Sequence, residues 1–157
     1  MPLGTAGRSP SRSSIDHFKL VNDTHGHQTG DDVLAEVARR LAGAVRGGEL
    51  VARIGGEEFA WLMPEATPQG ARAAAERVRT SIQDTPFAAA GTLTVSIGVC
   101  SNEQARSADE LVRRADEALY GSKAGGRNMT SVYAADASMR GNGASEPAAF
   151  LGNTRSR

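Results

Sequence analysis

Residues Ala52 to Trp61 read Ala-Arg-Ile-Gly-Gly-Glu-Glu-Phe-Ala-Trp, two apolar strand-like runs joined by paired glycines and paired carboxylates. Glu57 and Glu58 set two negative charges side by side at the tip of a hairpin. Adjacent carboxylates repel unless a cation sits between or beside them. An oxygen-seeking divalent ion, Mg²⁺ or Mn²⁺, is the expected cation, and such ions usually arrive with substrate phosphates. Gly55 and Gly56 supply the positive φ that a tight hairpin turn requires and let a ligand come close to the backbone.

Two further polar clusters could do chemistry. The run Asp16 to Asp31 holds Asn22 and Asp23, which suit a turn, punctuated by Gly26 and Gly30. His25 and His27 have zinc-pair spacing, but no cysteine lies near, so they read as structural or solvent-facing. The second cluster, Lys123-Ala-Gly-Gly-Arg127-Asn128, is cationic and glycine-rich just past a helix. It reads either as charge complementing a helix C-terminus or as a clamp for phosphate oxygens.

Elements that must position these groups follow from periodicity. Asp31 or Asp32 caps a helix whose apolar positions Val33, Leu34, Val37, Ala38, Leu41 and Val45 recur at the helical period, ending at Gly47-Gly48. Residues 50–54 and 59–63 form the hairpin. Thr67 as N-cap and Pro68 at the first helical position start a second helix with Ala71, Ala75, Val78 and Ile82 inward. Residues 92–99 alternate, predicting a strand with one covered face. Ser107 and Glu110 form a capping box for a third helix carrying Leu111, Val112, Ala115 and Leu119. Residues 129–133 add a short strand. Helices across one face of an antiparallel sheet give an α+β layer.

With 157 residues the chain predicts one domain. Eighteen basic residues balance eighteen acidic ones, so no overall field draws it to a nucleic-acid polymer or a membrane. Cys100 is the single cysteine and reads as a small buried hydrophobe in a reducing compartment. No apolar run is long enough to span a bilayer, and the expectation is a cytoplasmic protein. Residues 1–14 are rich in Gly, Pro, Ser and Arg and predict a disordered segment; residues 136–157 predict a disordered tail. The domain then spans 15–135.

Taken together, Asp16 to Asp31, Arg53-Ile-Gly-Gly-Glu-Glu-Phe59, Val95-Ser-Ile-Gly-Val99, Arg114-Ala-Asp-Glu-Ala-Leu-Tyr120 and Lys123 to Asn128 resemble the GGDEF family of diguanylate cyclases. That family joins two GTP molecules into cyclic di-GMP and pyrophosphate. The resemblance implies a nucleotidyl-cyclase, ferredoxin-like palm. It implies that Asn22 and Asp31 read guanine, and an acceptor there would favour GTP over ATP. Glu57 matches a metal-binding acid, and Glu58 matches an acid that helps hold metal and activates the ribose 3′-hydroxyl. The Ile15 carbonyl matches a backbone metal ligand. Lys123 and Arg127 match a phosphate-gripping pair, and Phe18-Lys19 matches backbone that cradles phosphates. Two Mg²⁺ ions would bridge the phosphates. Each domain would hold one GTP, so catalysis would need a second GGDEF domain in a homodimer. Cyclic di-GMP would be product and inhibitor, the latter at Arg46 and Glu49, which stand where many members carry Arg-x-x-Asp.

This chain departs from the family twice. Ser14 stands where the family usually has a metal-binding Asp. Upstream, the composition gives neither the family's first helix nor its apolar first strand. The expectations are impaired cyclase activity or, alternatively, a non-catalytic module that binds GTP or cyclic di-GMP or pairs with a partner. A truncated remnant that barely folds is a third.

Overall fold

In the computed structural model, which describes residues 8–134, the middle strand of the sheet is the segment that composition had marked as disordered. Arg8–Ile15, sequence RSPSRSSI, forms β1. It runs antiparallel to β3 (Glu58–Pro64) on one side and to β4 (Val95–Val99) on the other. The expectations of a disordered segment up to residue 14 and of a missing first strand are therefore corrected for residues 8–14; residues 1–7 and 135–157, including the expected tail, lie outside the described residues. The reason is physical. Ladder hydrogen bonds come from the backbone, which serine supplies as well as valine. Ser9, Ser11 and Ser13 are small enough to lie buried opposite Met63, Trp61 and Phe59. Ser9 donates its hydroxyl to the Ala66 carbonyl at 3.0 Å, so that burial leaves no polar orphan there.

The sheet order is β2-β3-β1-β4-β5, with β2 at Leu50–Arg53 and β5 at Thr130–Val132. Among the described residues there are four α-helices: α1 (Phe18–His25), α2 (His27–Ala44), α3 (Pro68–Asp84) and α4 (Ala108–Ala124). This is the α+β palm expected, with two refinements. β5 runs parallel to β4, so the sheet is mixed. Both faces are covered over the middle strands: α2 and α3 share the main core with Phe59, Trp61, Met63, Val95, Ile97 and Val99, while α4 packs on the other face. Every residue of β4 is buried. Gly98 explains why its alternation misled. A Cβ there would sit 2.1 Å from the Leu119 nitrogen and 2.3 Å from the Ala115 carbonyl oxygen, so α4 lies directly on the strand backbone. Glycine in a strand marks such a close approach.

Local corrections have equally local causes. Residues 18–25 are a helix rather than a turn, because Phe18 and Val21 share a buried face while the polar residues point outward. α2 begins at His27 without a side-chain cap, which leaves Asp31 and Asp32 inside the helix. Thr67 does cap α3, accepting from the Gly70 amide at 3.0 Å, with Pro68 following. Ser107 accepts from the Glu110 amide, but the Glu110 carboxylate accepts from the Arg106 amide, one residue away from the expected partner. Cys100 is fully buried, and desolvation pushes its thiol up to about 11, as expected of an inert packing residue. Among the described residues no helix is long and apolar enough to cross a membrane.

Candidate functional site

Strand β1 delivers the site. Its register places Ser14 opposite Glu58 on one side and Ser96 on the other. The Ile15 amide donates to the Glu57 carbonyl at 3.2 Å, which ties the strand end to the acidic turn. That turn differs in detail from the expected tight hairpin. Residues 54–57 form a four-residue connection, closed by the Ile54 amide donating to the Glu58 carbonyl at 2.9 Å. Arg53 braces it by donating to the carbonyls of Gly55 (3.0 Å) and Gly56 (2.8 Å). Neither glycine has positive φ, because a loop this long does not need it. Gly55 instead makes room: a Cβ there would lie 3.1 Å from Glu58 Oε2. Both glutamates are half-buried.

Asp16 is a residue whose role sequence reasoning missed. It is 4 % exposed and accepts from Ser96 Oγ at 2.6 Å, Thr94 Oγ1 at 2.7 Å and the Asn128 amide at 3.0 Å. One carboxylate thus ties β1, the entry to β4 and the loop after α4. The signal was available in Thr94 and Ser96, two hydroxyls at period two on one side of a strand. Asn128 is further fixed by Arg79, which donates to its Oδ1 at 2.8 Å. Arg79 also pairs with Glu76, and that hydrogen bond holds the Glu76 carboxyl below its usual range. Arg127 and Asn128 both adopt left-handed backbone, with φ of 65° and 47°, and the Arg127 amide caps α4 through the Ser122 carbonyl. Of the phosphate-clamp candidates, Arg127 is exposed and adjoins Asn128, whose amide reaches Asp16 just past β1, while Lys123 is half-buried in the last turn of α4.

The base-reading candidates come from the α1–α2 pair. Asn22 is half-buried on α1, and Gly30 of α2 lies against it. A Cβ on Gly30 would fall 1.8 Å from Asn22 Oδ1 and 3.3 Å from the Phe18 ring. The glycine thus exists to seat the amide. Phe18 is buried, so only its backbone is free to meet a ligand, while Lys19 is exposed. Asp31 is exposed one residue on, and it lines a groove of about 630 Å³ shared with Leu34, Val51, Arg53 and Phe59. Asp31 and the strands flanking the acidic turn therefore share one groove. His25 and His27 are both exposed, and among the described residues no group of three or more His, Cys, Asp and Glu side chains is arranged to hold a metal.

Arg46 and Glu49 lie apart, before β2. The Glu49 carboxylate accepts from the Arg46 amide at 2.8 Å and from the Trp61 indole at 3.2 Å. It closes a turn and satisfies a buried ring nitrogen, while the Arg46 residue is exposed.

Comparison with known proteins agrees with this geometry. Residues 13–129 match the model for "Diguanylate cyclase, GGDEF domain". Diguanylate cyclase DgcM of Escherichia coli K12 is 45 % identical over 113 residues, covering 72 % of this chain and 28 % of that protein. The response regulator PleD of Caulobacter vibrioides is 44 % identical over 127 residues, covering 77 % and 28 %. The chain thus spans little more than a quarter of these relatives. Among solved structures, the GGDEF domain of DgcB from Caulobacter crescentus, in complex with c-di-GMP, superposes with a TM-score of 0.79 at 34 % identity, covering 83 % of this chain and 80 % of that one. An active GGEEF domain of a diguanylate cyclase from Vibrio cholerae gives 0.76 at 32 %, covering 83 % and 85 %. Family match, relatives and fold agree: the chain belongs to the GGDEF family of diguanylate cyclases.

Proposed function

We propose that this domain binds GTP in the groove beside the acidic turn and, paired with a second GGDEF domain, condenses two GTP into cyclic di-GMP at a reduced rate. Two observations support this reading: the Ile15 amide bonds to Glu57 and the Asn128 amide to Asp16, which bring the acidic turn and the loop after α4 to one end of β1, and Asp31 lines a groove with Arg53 and Phe59 of the strands flanking that turn. In this reading Asn22 and Asp31 hydrogen-bond the guanine edge, and their donor and acceptor pattern rejects adenine. Lys123, Arg127, Lys19 and the Phe18 backbone hold the phosphates. Glu58 accepts the proton of the 3′-hydroxyl as it attacks the α-phosphate of the nucleotide on the facing domain, and pyrophosphate leaves. Cyclic di-GMP is the product and, through Arg46, an inhibitor, although Glu49 is already engaged by Trp61. The setting is cytoplasmic.

The family reading calls for Mg²⁺ or Mn²⁺ at Glu57, Glu58 and the Ile15 carbonyl. The donors of this chain fit it poorly. Position 14 offers a hydroxyl whose buried oxygen has no hydrogen-bond partner, and the nearby Asp16 carboxylate is consumed by three donors. Divalent magnesium favours carboxylate oxygen, so the residues present would hold it only weakly. The same deficit supports a second reading, a module that binds nucleotide or cyclic di-GMP and pairs with an intact partner without chemistry. Incubation with GTP and Mg²⁺ beside a Ser14→Asp variant, read by chromatography of cyclic di-GMP, separates them. Weak product that rises in Ser14→Asp supports the impaired cyclase. Nucleotide binding without product from either chain supports the module; absence of GTP binding overturns the cyclase, and absence of binding to both GTP and cyclic di-GMP overturns the module as well.

A further inference from the structure

Arg12 lies two residues before Ser14 on the same face of β1, and its guanidinium points at the acidic turn. Its Nη2 is 3.7 Å from Glu58 Oε2, and its Nε is 2.9 Å from Asp116 Oδ1 on α4. The arginine side chain is only one-fifth exposed, so this cation is substantially removed from water, and water screens it less than a surface charge. Beside it Ser14 is 1 % exposed, neutral and unpartnered through its hydroxyl. The strand therefore contributes one positive charge and no negative charge to the neighbourhood of Glu58. A divalent ion approaching Glu58 would meet a fixed guanidinium in competition for the same carboxylate, with no compensating anion from position 14.

We propose that Arg12 is a resident counter-cation of the acidic turn, balancing Glu58 and Asp116 so that this chain holds its turn in place without a divalent ion and binds one only weakly. The proposal rests on the reading that the turn's carboxylates are its metal-facing groups. It accounts together for the misfit of the donor set and for the placement of a half-buried arginine in a central strand, where a charge with no partner would be costly. It also makes Arg12 and Ser14 a coupled pair: each alone disfavours the ion, one by repulsion and one by lack of charge.

Mn²⁺ binding to the full chain without nucleotide, followed by electron paramagnetic resonance, tests this directly. The unmodified chain should show little bound Mn²⁺. Ser14→Asp and Arg12→Gln should each tighten binding by roughly tenfold, and the double variant by more than either, because ligand charge sets affinity at such sites. Adding Glu58→Gln should abolish the gain, and Arg12→Lys, which keeps the charge, should resemble the unmodified chain. Tight Mn²⁺ binding by the unmodified chain, unchanged in Arg12→Gln, would overturn the proposal. If circular dichroism shows Arg12→Gln unfolded, the melting temperature of the unmodified chain decides. It should not move with Mn²⁺, and a saturable rise lost in Glu58→Gln would overturn the assignment. A chain with these Mn²⁺ responses that binds no GTP would sink the nucleotide reading and leave Arg12 its role.

Discussion

Strands β1 and β4 are neighbours in the sheet, both buried, and opposite in composition. β4 reads Val-Ser-Ile-Gly-Val and carries its own apolar signal; β1 reads Arg-Ser-Pro-Ser-Arg-Ser-Ser-Ile and carries almost none. Yet β1 makes the more central contribution, pairing from Arg8 to Ser14 with β3 and from Ser11 to Ile15 with β4. The comparison teaches that a strand's place can be set by its neighbours. Phe59, Trp61 and Met63 on one side and Val95, Ile97 and Val99 on the other supply the apolar surface, and the strand between them supplies backbone and small volume. β1 is held by what flanks it. β4 would be held almost anywhere apolar.

That contrast can be broken most forcefully at Ser13. Proline there removes a ladder donor from the middle of the sheet, and Ser13→Pro should cost about 3 kcal/mol or more, abolishing the cooperative thermal transition seen by circular dichroism. A variant that melts like the parent would mean β1 is dispensable. Asp16→Asn comes next. The amide cannot accept from Thr94, Ser96 and Asn128 together, so a loss of about 2 kcal/mol is expected in urea unfolding, without change in the slope.

The comparison is sharpened by making β1 resemble β4. Ser11 is buried opposite Trp61 and Val99, and Ser11→Val should stabilise by up to about 1 kcal/mol, raising the melting temperature by a few degrees. An unchanged melting temperature would say that residue 11 is not packed. The smallest effect lies outside both strands. Hydrogen bonds from Arg39 and then Arg40 hold the half-buried Glu36 carboxyl at about 2, against an ordinary 4.5, and a bond from Arg79 lowers Glu76. A lowered carboxyl contributes stability above its unfolded value and loses it as pH falls through the folded one. Stability should therefore decline between about 4.5 and about 2, modestly because Glu36 is solvated. In Glu36→Gln the decline should shrink, as followed by acid titration of the melting temperature.

The candidate residues could be named in advance because their signals are local and chemical. Glu57-Glu58 and the Lys123-to-Asn128 run stand out by residue type and spacing, Asn22 and Asp31 are candidates only through the family resemblance, and the capping pair Thr67-Pro68 marks the start of α3. What escaped was decided at a distance. Nothing within residues 8–14 says that two apolar strands will flank them, and nothing in Gly98 says that a helix backbone will press on it. α1 was hidden because its polar residues, most of them exposed, outnumber its two buried apolar anchors, Phe18 and Val21. Asp16 was hidden because its three donors lie 78, 80 and 112 residues away in the chain.

Backbone hydrogen exchange of residues 9–15, resolved amide by amide, probes the whole account most directly, since β1 is what sets Ser14 against Glu58 and Arg12 beside it. Protection comparable to that of residues 95–99 is the expected result. Exchange of residues 9–15 at the rate of an unstructured chain, with residues 95–99 still protected, would contradict it.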